Sequence, residues 1–135
     1  MRVFLDTNVL VSAHTTRGLS ADLLSLILAE HELVTGEVNL LEFRRVLHDR
    51  FRVPRALIAR VERDLREHTV VPVPSGPVEV KVRDRDDQVV LASAIAGGAE
   101  VFVTGDKDLL EVAARSPIPI LTPRGAWALL RKREA

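Results

Sequence analysis

Cysteine and tyrosine are absent from this 135-residue chain, tryptophan and methionine occur once each, and three lysines stand beside sixteen arginines. Without cysteine there is no disulfide framework, no thiolate metal site and no thiol nucleophile. Four phenylalanines and one tryptophan leave little surface for stacking bases, so readout of a nucleic acid through aromatic platforms is not expected. No apolar run approaches the roughly 20 residues of a membrane span. No basic segment followed by an apolar one opens the chain. The expected location is the cytoplasm, with no membrane contact. Net charge is also missing: 19 Lys and Arg balance 19 Asp and Glu. Neutrality argues at first sight against a polyanionic partner, but a total hides its distribution. The arginine excess reads in two ways, as guanidinium forks that match phosphate oxygens or as ion-pair networks.

What is present is a globular composition, 47% apolar and 28% charged, at a length that suits one domain. Val3-Phe4-Leu5 is a short apolar run ended by Asp6-Thr7-Asn8, which reads as a buried parallel strand. A helix starts at Val9-Leu10-Val11 and breaks at Thr15–Gly18. Ser20 is a candidate N-cap for the next, with Leu23, Leu24, Ile27 and Leu28 as its apolar residues. Glu32–Thr35 predicts a strand, about Glu37–Phe51 a helix, and Pro54 the first turn of another helix. Thr69–Val73 predicts a strand. Val78, Val80 and Val82 alternate with charged residues as in an exposed strand. A helix over about Asp86–Ala96 closes at Gly97-Gly98. Val101–Thr104 and Ile118–Leu121 predict the remaining strands, with a short helix between them. Thr122-Pro123 starts the last helix, running to about Arg131. Strands alternating with helices through short connections imply an α/β fold with a central, mainly parallel sheet of about five strands flanked by helices. Ligands of such sheets sit beyond the carboxyl ends of the strands.

Acids gather at that edge. Asp6 ends the first strand, where a carboxylate loses solvation unless it is paired or bound to a cation. Either Asp6 or Asn8 can N-cap the following helix, and a cap at Asn8 leaves Asp6 free. Glu42 lies in one helical column with Val38 and Val46, an apolar stripe in which a Glu wants a partner, be it an Arg or a cation. Of the acids in Arg83-Asp84-Arg85-Asp86-Asp87, at least one belongs to the first turn of a helix. Asp87, one turn before Val90 and Leu91, is best placed to face inward; Asp84 and Asp86 are the substitutes. Asp106 and Asp108 follow Thr104-Gly105, and an N-cap role accounts for only one of them. Carboxylates drawn together from four segments cannot all ionise without a counter-charge. With no cysteine, and His14, His31, His48 and His68 scattered as structural or surface residues, hard oxygen ligands point to Mg²⁺ or Mn²⁺ rather than zinc.

Four stretches carry a resemblance to a family. They are Val3-Phe4-Leu5-Asp6-Thr7-Asn8-Val9-Leu10, Leu41-Glu42-Phe43-Arg44, Arg83–Asp87 with Val90-Leu91-Ala92-Ser93-Ala94, and Val103-Thr104-Gly105-Asp106-Lys107-Asp108-Leu109-Leu110. Ile120-Leu121-Thr122-Pro123 adds the final strand and helix start. The chain resembles the PIN domain, the nuclease domain of VapC-type toxins in toxin–antitoxin pairs, over residues 1–135, and looks most like the toxin-component subgroup. The resemblance implies a metal-binding cluster of Asp6, Glu42, Asp87 and Asp106 with Asp108 as an auxiliary acid, and Asn8 and Thr104 as hydrogen-bonding groups that orient the carboxylates. It implies Mg²⁺- or Mn²⁺-dependent endonucleolytic hydrolysis of RNA through activated water. It also implies a homodimer and an antitoxin protein that covers the site.

Two other enzyme classes use strand-end acids. A haloacid-dehalogenase-type phosphatase needs a second Asp two residues after the nucleophile, where this chain has Asn8. A receiver domain needs an acid ending a central strand, and Thr69–Val73 carries none. A non-catalytic RNA- or protein-binding PIN-like module usually shows lost acids, and none is missing. Eight arginines fall between Arg44 and Arg66, interspersed with Asp49, Glu62, Asp64 and Glu67; ion-paired solvent faces are the expectation there. Arg17, Arg83, Arg85 and Lys107 flank the acid edge and are the expected phosphate contacts. Setting aside the five clustered acids leaves 14 acids against 19 bases, so the remaining surface carries +5. Neutrality is then the sum of an acidic hole and a basic body.

Overall fold

The computed structural model describes residues 1–77 and 79–134. Strands and helices alternate along the described residues. The order is β1 (Arg2–Leu5), α1 (Thr7–Thr15), α2 (Leu19–Glu30), β2 (Glu32–Gly36), α3 (Glu37–Asp49), α4 (Arg55–Leu65) and β3 (Thr69–Val71). It continues with α5 (Arg85–Ala96), β4 (Val101–Val103), α6 (Lys107–Glu111), β5 (Ile120–Leu121) and α7 (Pro123–Glu134). All four strand pairings are parallel and the sheet order is β3-β2-β1-β4-β5, the expected α/β architecture.

Both faces of the sheet are covered, so its strands read as apolar runs. Alternate side chains take opposite faces. Val3 and Leu5 of β1 join Leu33, Val101 and Val103 in a core closed by Leu10, Ile27, Phe43 and Leu130 from four helices. Phe4 joins Val34, Phe102 and Ile120 in the other, under Leu91 of α5 and Leu109 of α6. Phe4 and Phe102 stack across β1 and β4 with centroids 5.5 Å apart, both wholly buried. Truncating either to Ala costs about 3–5 kcal/mol.

Strand order decides where a site can form. The chain runs from β1 outward through β2 to β3, then returns to lay β4 and β5 on the other side of β1. The order therefore reverses between β1 and β4, and a crevice opens beyond their carboxyl ends. Asp6 is the residue after β1, and Thr104 the residue after β4.

Several boundaries differ from expectation, each for a local reason. Helix α1 begins at Thr7 with Asp6 as its N-cap, not Asn8. Helix α2 is preceded by Gly18 rather than capped by Ser20; Gly18 has φ +141°, a region open to glycine, and Ser20 is already helical. Helix α3 stops at Asp49, short of Phe51. Arg52 there takes a positive φ (+54°) and Val53 N–H turns back to donate to the Leu47 carbonyl, which closes the helix end. Strand β3 ends at Val71 because Pro72 has no N–H for the ladder. The last strand starts at Ile120 rather than Ile118. Val78 lies outside the described residues, and residues 79–82 form no strand; Val80 and Val82 instead bury against the Phe4–Phe102 core. Gly97-Gly98 and Thr122-Pro123 act as expected. Gly98 takes φ +69° after α5, and Thr122 Oγ1 accepts from the Gly125 N–H at 3.1 Å.

Candidate metal centre

Asp6 is fixed before anything else in the crevice. Its Oδ1 accepts the Thr7 N–H at 2.8 Å and its Oδ2 accepts the Thr104 hydroxyl at 2.7 Å. Asp6 is 4% exposed and Thr104 fully buried. Burial pushes the Asp6 carboxyl above its usual range, a pressure that the two hydrogen bonds oppose and the nearby Asp106 adds to. Thr104 also accepts the Asp106 N–H at 3.0 Å, so one hydroxyl sets the start of α1 and the turn after β4 together.

Helix starts then deliver the other acids. Asp106 N-caps α6, its Oδ1 accepting the Asp108 N–H at 2.8 Å, and this puts both side chains at the crevice. Asp84 N-caps α5 through the N–H groups of Asp86 and Asp87, so it is the capping acid of its run. That cap points Asp87 inward, half-buried, while Asp84 and Asp86 stay exposed. Oxygens of Asp87, Asp106 and Asp108 all lie within 4.8 Å of one another. Desolvation and, in order, the charges of Asp106, Asp6, Asp84 and Glu42 push the Asp87 carboxyl up to about 7. Glu42, half-buried on α3, is raised by desolvation and then by Asp6 and Asp86, with the Thr7 hydroxyl partly offsetting this.

The structure thus draws five acids to the crevice: Asp6, Glu42, Asp87 and Asp106 act on one another through their charges, and Asp108 joins them by its distance to Asp87 and Asp106. The tight centre of this group differs from expectation: Asp108 stands inside it, whereas Asp6 and Glu42 stand outside it. Only carboxylate oxygens are offered, with no His or Cys among the described residues of the set. This is the donor chemistry of a hard divalent cation.

Other expected residues fall as follows. Asn8 is exposed in α1 and makes no hydrogen bond to an acid among the described residues. Arg83 leans toward Asp108 at 4.0 Å and Glu111 at 3.7 Å, with 75% of its side chain exposed. Arg17, Arg85 and Lys107 are exposed. His14 packs edge-on against Phe43 and bonds the Leu10 carbonyl, and His48 pairs with Asp49.

The residues missed are buried and polar. Asn39, wholly buried, donates through Nδ2 to the Leu5 carbonyl and to Thr7 Oγ1, both at 3.3 Å. It ties α3 to the β1–α1 turn that carries Asp6. Its signal was its place three residues before Glu42, on the same helical face. Gly36 at the end of β2 presses on α5; a Cβ there would collide with Ser93 Oγ. This close approach brings the helix that carries Asp87 against the strand that leads into α3.

A profile of the PIN domain matches residues 2–108. No curated protein matches in sequence. Among solved structures, VapBC2 from Rickettsia felis, bound to a DNA fragment from its promoter, superposes with TM-score 0.63 at 16% identity, covering 90% of this chain and 97% of that one. VapBC-1 from nontypeable Haemophilus influenzae gives 0.61 at 16% identity, over 92% and 99%. FitAcB from Neisseria gonorrhoeae gives 0.59 at 16% identity, over 90% and 98%. With the matched profile spanning every one of the clustered acids, the chain belongs to the PIN-domain family.

Proposed function

We propose that residues 1–135 act as one PIN domain, a Mg²⁺- or Mn²⁺-dependent endoribonuclease that serves as the toxin of a toxin–antitoxin pair in the cytoplasm. The observation that carries this reading is the coupled acid group at the β1–β4 crevice, with three carboxylates inside 4.8 Å and Asp87 raised to about 7. Asp87, Asp106 and Asp108 would hold the ion, with Asp6 and Glu42 completing the negative field. A divalent ion bound there supplies charge neutralisation to a phosphodiester and lowers the pKa of water. The chain's own part is to pre-orient the donors. Thr104 clamps Asp6 and the Asp106 backbone, Asn39 holds the β1–α1 turn, and the Asp84 cap aims Asp87. Water adds across a P–O bond of the strand, leaving a 5′-phosphate and a 3′-hydroxyl, and no side chain need become the nucleophile.

The phosphatase reading asks Asp6 to attack phosphorus, yet both its oxygens are engaged and it is buried. An antitoxin partner is supported by the similarity to the VapBC structures. An antitoxin over the crevice and a homodimer are the expected states. No helix among the described residues is long and apolar enough to cross a membrane.

The test is incubation of the protein with structured RNA and, separately, with a generic phosphatase substrate, in Mn²⁺ or EDTA. RNA cleavage that needs Mn²⁺ supports the reading. Phosphate release without RNA cleavage, or cleavage that survives EDTA, overturns it.

A further inference from the structure

The arginines between Arg44 and Arg66 are not, for the most part, ion-paired. Arg44 binds Glu62 through Nε and a second nitrogen, and Arg66 bridges Glu62 and Glu37. These two are spent on holding α3 to α4. Arg45, Arg50, Arg52, Arg55, Arg60 and Arg63 form no salt bridge within 4.0 Å among the described residues, although Arg45 and Arg52 lie near enough to Asp49 to lower its carboxyl.

Two of the free ones matter most. Arg55 and Arg63 line a cavity of about 400 Å³ between α3 and α4, with Arg44, Arg66 and His48 on its rim and Ile58 and Ala59 beneath. Its lining carries four guanidiniums against one carboxylate, Glu62. Eight residues separate Arg55 from Arg63, about 12 Å along the helix axis. That is a line of positive charge rather than a point. From the cavity the line continues over α3. Glu42 and Arg44 point about 160° apart on that helix, and Arg45 lies between them. Arg45 is exposed, and its charge is already felt at Glu42. Cations without a salt bridge therefore run from the cavity, across one helix width, toward the acid crevice.

We propose that the α3–α4 cavity with Arg55 and Arg63 is a second, non-catalytic site that grips the phosphodiester backbone of an RNA strand whose scissile bond lies at the acid crevice. This rests on the ribonuclease reading above. An acidic peptide is the weaker occupant. The apolar part of the lining is small, a buried Ile58 and an Ala59, and four guanidiniums surround it, whereas a charge line leading to the crevice suits a continuous polyanion. Arg44 and Arg66, held by their carboxylates, keep the cavity walls in place before the strand arrives.

The test is binding of a fluorescent single-stranded RNA, about 20 nucleotides long, to the full chain carrying Asp106→Asn so that the probe stays intact. The same measurement follows with Arg55→Ala and Arg63→Ala added. Two lost phosphate contacts should weaken binding roughly tenfold at 0.1 M salt and flatten the log–log salt slope by about 1.4. Arg55→Lys with Arg63→Lys should recover the salt slope but not the full affinity, since Lys keeps the charge and loses the fork. An unchanged Tm confirms that each variant folds. Unchanged affinity and salt slope overturn the proposal. So does an RNA affinity indifferent to both residues alongside a polyglutamate peptide that needs them. If the unsubstituted chain cleaves no RNA yet the RNA binds through Arg55 and Arg63, the nuclease reading fails and the cavity assignment stands.

Discussion

Two charged regions lie on opposite sides of α3, and they are built by opposite rules. On one side Glu37, Arg66, Glu62 and Arg44 form a chain of alternating sign with contacts of 2.7–3.1 Å. Glu37 and Glu62 are held below their usual range, by the Arg66 and Arg44 hydrogen bonds respectively. On the other side five acids crowd together, and Asp6, Glu42 and Asp87 are all pushed up. The alternating chain is complete as it stands. The acid group lacks a positive charge, and a protein that only needed to fold would gain by losing one of its carboxylates. Ion pairs can be structural; like charges held together by a shared hydroxyl and two helix caps call for a counter-charge.

The largest effect follows from removing an acid of the tight centre. Asp106→Asn, and separately Asp87→Asn, should lower RNA cleavage by at least about 10²-fold, the scale for loss of a pre-oriented electrostatic group. The same variants should melt no lower than the unsubstituted metal-free chain, read as Tm by calorimetry in EDTA. Wild-type cleavage by both would mean the acid group is not the catalytic site. The next effect comes from the clamp. Thr104→Val keeps the shape and removes the hydroxyl shared by Asp6 and Asp106. A loss of about 10–100-fold in metal affinity or cleavage is expected, with Asp6 raised further still.

Much of this was legible in the residues because a carboxylate beside a buried strand is an anomaly that composition cannot hide. Asp6, Glu42, Asp87 and Asp106 were visible as acids at strand ends or in apolar helical stripes, and the parallel sheet followed from apolar runs alternating with helices. What was not legible depends on direction rather than identity. Asn8 and Thr7 are neighbours of similar chemistry, but the turn at Asp6 points Thr7 inward and Asn8 to solvent. Asn39 reads as an ordinary helical polar residue until the β1 carbonyl that it bonds is known. The alternation of Val80 and Val82 reads as a strand, yet an irregular segment laid across a core produces the same period. Gly36 against Ser93 is a contact between elements far apart in the chain, invisible to any local pattern.

The pH response separates the two regions by sign. Asp87 in the folded chain titrates near 7, while in the unfolded chain it titrates near an ordinary value of about 3.9. The folded state therefore holds that proton more tightly. The group's contribution to stability is fully present below about pH 4 and is lost as pH rises to about 7. Metal-free protein should lose Tm over that window, and Asp87→Asn should flatten the loss. Binding of the cation needs the proton gone, so its affinity should fall about tenfold per pH unit below 7. The measurement is calorimetric titration of Mn²⁺ between pH 5.5 and 8. A metal affinity flat over that range would contradict the raised Asp87. Glu37 and Glu62 shift the other way: what they contribute is present at neutral pH and is lost only as the medium becomes acidic.

Glu62→Gln has the smallest expected effect and tests the comparison most directly. It cuts both links that hold Arg44 and Arg66 to one carboxylate. The pairs are partly exposed, so the loss should be about 1 kcal/mol, roughly 3 °C in Tm. Salt should erase the difference, because at 1 M the screening length falls to about 3 Å. In the metal-free acid group the same salt should raise Tm, since it screens repulsion rather than attraction. Opposite responses to one reagent are what the two construction rules require. Glu62→Gln also leaves Arg44 free on the cavity rim, while Arg66 stays held by Glu37, so RNA should bind slightly tighter to a slightly less stable protein. If stability and RNA affinity fall together, the Arg–Glu chain belongs to the binding surface itself and not to its support.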